Sequence, residues 1–228
     1  MEETKMTQET PAVPAKKLTK KDITKSMWIY YAGAELSNSY ERLQSLVFCA
    51  SMTPVLKKLY DTDEELSAAL KRHLVFFNTE GIWGSIIHGI VLAMEEQRAL
   101  GAPIPTEGIL GAIIQGIAIS MEEQKANGEN ITDDAITGIK TGLMGPVAGM
   151  GDAIIWAAVM PIIFSIFLPF ASNGSAFGGI MPLILYPLIT ILISYYLIHQ
   201  GYTLGKKSIV SLLHGGRMKN IIFTANVI

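Results

Sequence analysis

Few groups in this 228-residue chain could do bond chemistry. The four histidines, His73, His88, His199 and His214, show no metal-ligand spacing, and there is no H-E-x-x-H pair. Cys49 is the only cysteine, so neither an intrachain disulfide nor a Cys-rich zinc site can form. No G-x-S-x-G turn or other paired nucleophile and base is present. His73 follows Lys71-Arg72 and reads as a surface or interface residue. The acid pairs Glu95-Glu96 and Glu122-Glu123 are adjacent rather than a turn apart, so each pair diverges around its helix, and a solvated face is expected for both. The pattern implies no catalytic residues, no metal and no cofactor. Recognition of a polyol asks for something else: donors and acceptors in fixed geometry, and an aromatic face for the C–H side. Asn38, Tyr40, Glu41, Arg42 and Gln44 supply the polar groups compactly, Asn78 and Thr79 add more at a helix exit, and Trp28 and Trp83 offer rings. Glu41 and Arg42 would equally suit structural pairing inside a helical bundle.

The elements that must hold these residues are set by where charge is missing. The balance is slightly acidic, with a net charge of -2, and the basic clusters have no aromatic interleaving, which argues against a nucleic-acid partner. Only 17% of residues are charged, against about a quarter in a soluble domain. Between Asp152 and Lys206 there is no Asp, Glu, Lys or Arg. About 20 apolar residues cross a bilayer, so Ala153–Ala171 and Ile180–Gln200 form a spanning hairpin around the turn Ser172-Asn173-Gly174-Ser175. Pro161, Pro169, Pro182 and Pro187 predict kinks in both spans. Lys206, Lys207, Arg217 and Lys219 follow the second span, Lys140 precedes the first, and Lys16, Lys17, Lys20, Lys21 and Lys25 mark the N-terminal region. The bias puts both ends of the hairpin, and the N-terminus, in the cytoplasm.

The remaining organisation follows in chain order. Residues 1–17 form a flexible polar tail, and 18–139 an amphipathic or re-entrant helical region. Leu18–Tyr31 suits a helix with rings at headgroup depth. Leu36–Tyr60 is expected as one helix, with Asn38, Glu41, Arg42 and Ser45 as a polar stripe opposite Leu43, Leu46, Val47 and Ala50, capped by Ser37 or Ser39 and bent or ended at Pro54. Thr62 and Glu65 have capping-box spacing for the next helix. A tandem repeat occupies 84–110 and 111–137: eleven of the first eighteen residue pairs are identical. Each copy is an apolar half-helix, too short to span, followed by a charged half. Residues 140–152 then carry Gly142, Gly145, Pro146, Gly149 and Gly151, which predict an irregular gating loop rather than a helix. It lacks the closing Gly-Lys-Ser/Thr of a P-loop. Asp152 is the last charge before apolar depth, either functional or an interface marker. The fold class expected is an all-α integral membrane protein, with the hairpin at 153–205 and a cytoplasmic segment at 206–228 leading into a further apolar stretch.

Three ordered motifs carry a family resemblance. They are Leu36-Ser37-Asn38-Ser39-Tyr40-Glu41-Arg42-Leu43-Gln44, then Arg72-His73-Leu74-Val75-Phe76-Phe77-Asn78-Thr79, then Gly138 to Asp152 with its Gly145-Pro146-Val147-Ala148-Gly149-Met150-Gly151 core; Met94-Glu95-Glu96-Gln97-Arg98-Ala99 adds a fourth. Together they resemble the enzyme IID subunit of the mannose/fructose/sorbose-type sugar phosphotransferase system. The resemblance implies a bacterial cell-membrane subunit in a hetero-oligomer with a IIC subunit. It would carry a hexose or amino sugar, with phosphorylation by cytoplasmic IIB charged by IIA, and no bond chemistry of its own. It also implies that Asn38, Tyr40, Glu41, Arg42, Gln44, Asn78, Thr79 and Asp152 face sugar or the IIC interface. Two departures stand out: family members usually have one Glu-Glu-Gln unit, so the second copy looks like a duplication, and they are longer, so the chain is expected to be C-terminally truncated. The alternative is a non-transporting membrane scaffold that recruits soluble partners.

Overall fold

A computed structural model describes residues 17–101 and 135–213. The N-terminal tail, the second repeat copy up to residue 134, and the segment after 213 lie outside the described residues.

Helix α1 (Lys20–Gly33) starts on a capping box: Thr19 Oγ1 accepts from the Asp22 N–H, and Asp22 Oδ2 accepts from the Thr19 N–H at 2.7 Å. It buries Ile23, Met27 and Tyr30. Residues 34–44 are not helical, contrary to the expected helix from Leu36. Two isolated bridges, Ser39 to Leu43 and Leu43 to Phe77, tie this stretch to a later loop, and Leu43 takes a positive φ of 45°. Helix α2 (Ser45–Leu59) therefore begins at Ser45, behind Gln44, and no serine cap is used. The expected stripe is also rotated: Ser45 and Val47 are buried, while Leu46 and Ala50 are exposed. Pro54 neither ends α2 nor bends it out of the core. Helix α3 (Asp63–His73) opens on the Thr62–Glu65 cap as the spacing requires.

Helix α4 (Ser85–Ala99) is the first repeat copy, and Gly101 takes a positive φ of 68° just past its end. It is a core helix packed against the last one. Helix α5 (Ala135–Gly151) corrects the expected gating loop: Gly142, Gly145, Pro146, Gly149 and Gly151 are all helical. Apolar surroundings leave backbone N–H and C=O groups no better partner than one another, which overrides glycine's weak propensity. A π-helical segment follows (Asp152–Val159), then α6 (Met160–Ser172), with Pro161 just past the join between the two. The turn at 173–175, with Gly174 at φ 76°, leads to α7 (Ala176–Leu213).

Two helical stretches are long and apolar enough to cross a membrane, Ile136–Ser172 and Ala176–Lys206, with mean hydropathies of 2.3 and 2.1. Both start earlier in the chain than expected. Their outer surfaces carry exposed Ile162, Phe164, Leu168, Ile180, Leu183 and Leu188, as a lipid-facing or subunit-facing hairpin requires. The packed core lies at the other end of α7, where α1, α2 and α4 gather around Tyr30, Phe48, Phe77, Leu92 and Ile198. Lys140, expected as a flanking charge, is instead fully buried, its ammonium 4.6 Å from the Phe48 ring centroid and 5.4 Å from that of Phe77.

Candidate functional site

The structure assembles the resemblance motifs at one place, by three different devices. Gln44 and Thr79 form a clamp. The Gln44 side-chain amide mimics a backbone: its Nε2 donates to the Thr79 carbonyl at 2.8 Å, and its Oε1 accepts from the Thr79 N–H at 3.1 Å and from the Tyr30 hydroxyl at 3.1 Å. Both residues are buried, so they hold the site rather than line it. Main-chain bonds from the Gln44 N–H to the Phe77 carbonyl and from the Phe77 N–H to the Arg42 carbonyl continue the clamp. The same loop then grips α5: the Thr79 hydroxyl donates to the Met144 carbonyl at 3.3 Å, and the Asn78 N–H points at Met144 Sδ at 3.0 Å. Two helical turns on, Gly151 lies against Glu80, where a Cβ would stand 2.7 Å from the carboxylate Oε2. Only glycine lets the start of the Asp152 turn approach this closely.

Glu80 was invisible as a site residue in the sequence, because a lone acid in a loop carries no spacing signal. Its carboxylate accepts from the backbone N–H groups of Trp83 at 2.7 Å and Ile82 at 3.1 Å, fixing the entry to α4. Burial pushes its pKa up; the two N–H groups oppose this, and the charges of Glu35 and Asp152 add to it.

Asn38, Tyr40, Glu41, Arg42, Asn78 and Asp152 are all exposed around this clamp. They are donors, acceptors and charges in three neighbouring segments, and nothing among the described residues covers them. Their depth follows from α1. Thr24 Oγ1 lies 3.3 Å from His199 Nε2, and the Tyr31 hydroxyl lies 2.8 Å from Thr190 Oγ1. Hence α1 runs antiparallel to α7, and the chain leaving α1 after Tyr31 continues from the level of Thr190 in the direction of Tyr186. Thr190 sits near the middle of the Ala176–Lys206 span. The polar loops therefore lie alongside the central part of an apolar helix, a depth at which charges must face protein or water rather than acyl chains.

A second polar system holds the bundle together, and it overturns two expectations. Glu95 and Glu96 are not solvated; they are 0% and 1% exposed. As adjacent residues they diverge, but into protein on both sides. Glu95 receives Arg72 Nε at 2.8 Å and a second guanidinium nitrogen at 3.1 Å, His73 Nε2 at 2.9 Å, and the Tyr60 hydroxyl at 2.6 Å. Glu96 receives the Leu18 N–H at 3.0 Å, Lys206 Nζ at 3.0 Å, and the Tyr202 hydroxyl. Burial alone would raise the Glu95 pKa; the hydrogen bonds and charges of His73 and Arg72 outweigh it and hold the carboxyl at about 2. His73 is buried, not superficial, and burial brings it down to about 4. His88, also buried, is pushed to about 3 by burial and by the neighbouring His73 and Lys140. Its Nε2 lies 2.8 Å from Ser26 Oγ, whose own proton goes to the Ser51 carbonyl, so the imidazole is the donor.

Helices α4 and α7 meet backbone to backbone. A Cβ on Gly89 would overlap the Ile198 carbonyl, one on Gly201 the Ile86 carbonyl, and one on Gly205 would stand 2.7 Å from Ala93 Cβ. The pattern Gly201-x-x-x-Gly205 was available in the sequence as a sign of this seam.

Fold and site together define a helical membrane protein that presents polar loops beside a helix long and apolar enough to cross a bilayer. The chain belongs to the PTS system mannose/fructose/sorbose family of IID components, which it matches over residues 17–111 and 104–228. The two matched stretches overlap inside the tandem repeat. It is 34% identical over 224 residues to the mannose-specific EIID component of Escherichia coli K12, covering 98% of this chain and 69% of the relative. To the sorbose-specific EIID component of Lacticaseibacillus casei it is 31% identical, covering 93% of this chain and 65% of the relative. To the fructose permease IID component of Bacillus subtilis it is 33% identical, covering 93% and 67%. Its fold is similar to a chain in the cryo-EM structure of the mannose transporter ManYZ with microcin E492, at a TM-score of 0.69 and 34% identity, covering 92% of this chain and 66% of that one. The chain thus spans about two-thirds of the length of these relatives. It is a membrane component of a sugar phosphotransferase system.

Proposed function

We propose that the chain is the IID half of a sugar permease. It pairs with a IIC subunit and helps carry a hexose or amino sugar, which IIB, charged by IIA, phosphorylates in the cytoplasm. The observation that supports this best is that Asn38, Glu41, Arg42, Asn78 and Asp152 are exposed in this chain, in segments that follow α1 beside Thr190 of the Ala176–Lys206 span or adjoin α5. A second membrane subunit completing a polar path would satisfy them; lipid would not. In this reading IID performs no bond chemistry. The buried Gln44–Thr79 clamp positions the polar loops, and the helical glycine segment Gly142–Gly151, with Pro146, is the part of α5 that moves against Glu80. The N-terminus and the Lys206 end of α7 face the cytoplasm.

The test is sugar uptake in cells carrying the chain with its IIC, IIB and IIA. Glu41→Ala combined with Asp152→Ala should reduce uptake at least about tenfold, the loss of roughly one charged hydrogen bond, with IIC co-purification unchanged. Normal uptake by that double variant would overturn the site assignment.

A further inference from the structure

On α1, Lys21, Lys25 and Trp28 repeat at i, i+4 and i+7, Lys17 lies in the non-helical lead-in just before the Thr19 cap, and all four side chains are exposed. The opposite side of the helix buries Ile23, Met27 and Tyr30 in the bundle core. Trp28 is 47% exposed and stands edge-on to Tyr31. The contacts Thr24–His199 and Tyr31–Thr190 bracket Trp28 along α7 and bring it level with Tyr195 and Tyr196, which are 44% and 61% exposed. These rings make a row. From Tyr196 to the turn before Ala176 is about 20 residues of helix, about 30 Å, the thickness of a bilayer's hydrocarbon core. The ring row therefore marks one boundary of the acyl region and the turn marks the other.

The lysines lie on the headgroup side of that row. Asp22 is the one acid on α1, and it is already taken by the Thr19 cap and by Lys58 at 2.5 Å. The lysine face is thus left without an acid of its own element, beside rings that suit an acyl boundary. We propose that Lys17, Lys21, Lys25 and Trp28 form a docking surface for the phosphate groups of anionic lipids, fixing the depth at which the polar loops sit. The partner is a lipid rather than an acidic protein, because the lysines adjoin exposed Trp28, Tyr195 and Tyr196 at one end of an apolar stretch of bilayer length, where phosphate headgroups lie.

This inference rests on the membrane placement alone and needs no transported sugar. The chain, with its IIC partner, is reconstituted in bilayers after Trp83→Phe and Trp156→Phe leave Trp28 as the only tryptophan of the chain, the partner's tryptophans likewise replaced. Bromine-labelled phosphatidylglycerol and phosphatidylcholine are then compared as quenchers of Trp28. A single lysine near an anionic surface favours it by about 5-fold, so an enrichment of phosphatidylglycerol of at least about 5-fold is expected. It should shrink at high salt and vanish in Lys17→Gln/Lys21→Gln/Lys25→Gln, a change that keeps helix propensity. Equal quenching by the two lipids, an enrichment that survives the triple change, or no quenching by either lipid would each overturn the proposal.

Discussion

Helix α7 lives in two environments. In its Lys206 half, Thr190, Ser194, Ile198 and Gly201 are buried, and Tyr202 and Lys206 reach the buried Glu96. In its Ala176 half, Phe177, Ile180, Leu183, Ile184 and Leu188 point outward. The outer half meets α6 through rings such as Phe167, Phe170 and Phe177 and has large apolar surface to spare. Among acyl chains apolar surface gives little drive for helices to associate, so the outer half is held mainly by shape, with one close backbone approach of Gly178 to Ala171 beside the turn. The inner half is held by what lipid cannot imitate: glycine contacts, hydroxyl bonds and paired charges. Specific geometry in this chain is therefore concentrated where α4 meets α7, and the polar loops are built out from that seam.

The sharpest way to break the contrast is at Glu95. Its carboxylate is the shared acceptor of Arg72, His73 and Tyr60, and Arg72 is only 10% exposed. Glu95→Ala leaves a buried guanidinium without this anion, which costs about 3–5 kcal/mol. Thermal unfolding of the detergent-solubilised complex should show it; a change under about 1 kcal/mol would mean that the Glu95 network does not carry the bundle. Next comes the seam itself. Gly201→Ala must push α4 and α7 apart at the Ile86 carbonyl, an overpacking of about 1–3 kcal/mol. Gly149→Ala, whose Cβ meets nothing within 4 Å, should be neutral or slightly stabilising in the same assay. Equal losses from the two changes would erase the distinction between gripped and ungripped glycine.

That contrast also explains what could be read from residues alone. The hairpin was legible because the absence of charge over fifty residues has one physical solution, although its ends were drawn too short. The cap at Thr62 was legible because it is closed within one turn. Misreadings came where tertiary context reversed a local rule. Glu95 and Glu96 looked solvated because their partners, Arg72, Tyr60, Tyr202 and Lys206, are remote in sequence. The segment 142–151 looked irregular because glycine propensity is a property of water, while this stretch is an apolar helix. The Asn38–Arg42 stripe looked helical until Gln44 found Thr79. Of the site, the exposed polar residues were visible and the buried groups that position them, Tyr30, Glu80 and Met144, were not.

Acid should loosen the gripped half selectively. His73 and His88 are held neutral by burial, at about 4 and about 3, while in the unfolded chain they take up protons below about pH 6.5. The stability they contribute is complete above that pH and drains away as pH falls, by about 1.4 kcal/mol per unit for each imidazole. Glu95 adds to the loss only below about pH 4.5, on the way down to its own value of about 2. As pH falls from 6.5 to 5, the unfolding free energy should therefore decrease, with a slope that approaches two protons. His88→Gln, which can still donate to Ser26 Oγ, should cut that slope to about one while costing little at pH 8. An unchanged slope would show that the buried imidazoles are not what senses acid.

The smallest effect on stability is expected where the chain is most exposed, and it tests the comparison from the opposite side. Tyr40 has 106% relative exposure and Leu36 84%, on a loop level with the apolar span. Neither packs against the bundle, so Leu36→Ser with Tyr40→Ser should move the unfolding temperature of the isolated chain hardly at all, within about 0.5 kcal/mol per residue. Two large apolar side chains left this exposed on one loop suit a surface that another subunit covers. If that surface is the IIC subunit, the same double change should weaken retention of IIC on an affinity-tagged chain, most clearly after long washes, because interface substitutions act mainly on dissociation. Unchanged retention together with unchanged stability would remove Leu36 and Tyr40 from the interface and leave the polar residues of the same loop, Asn38, Glu41 and Arg42, to explain why it is carried beside an apolar span.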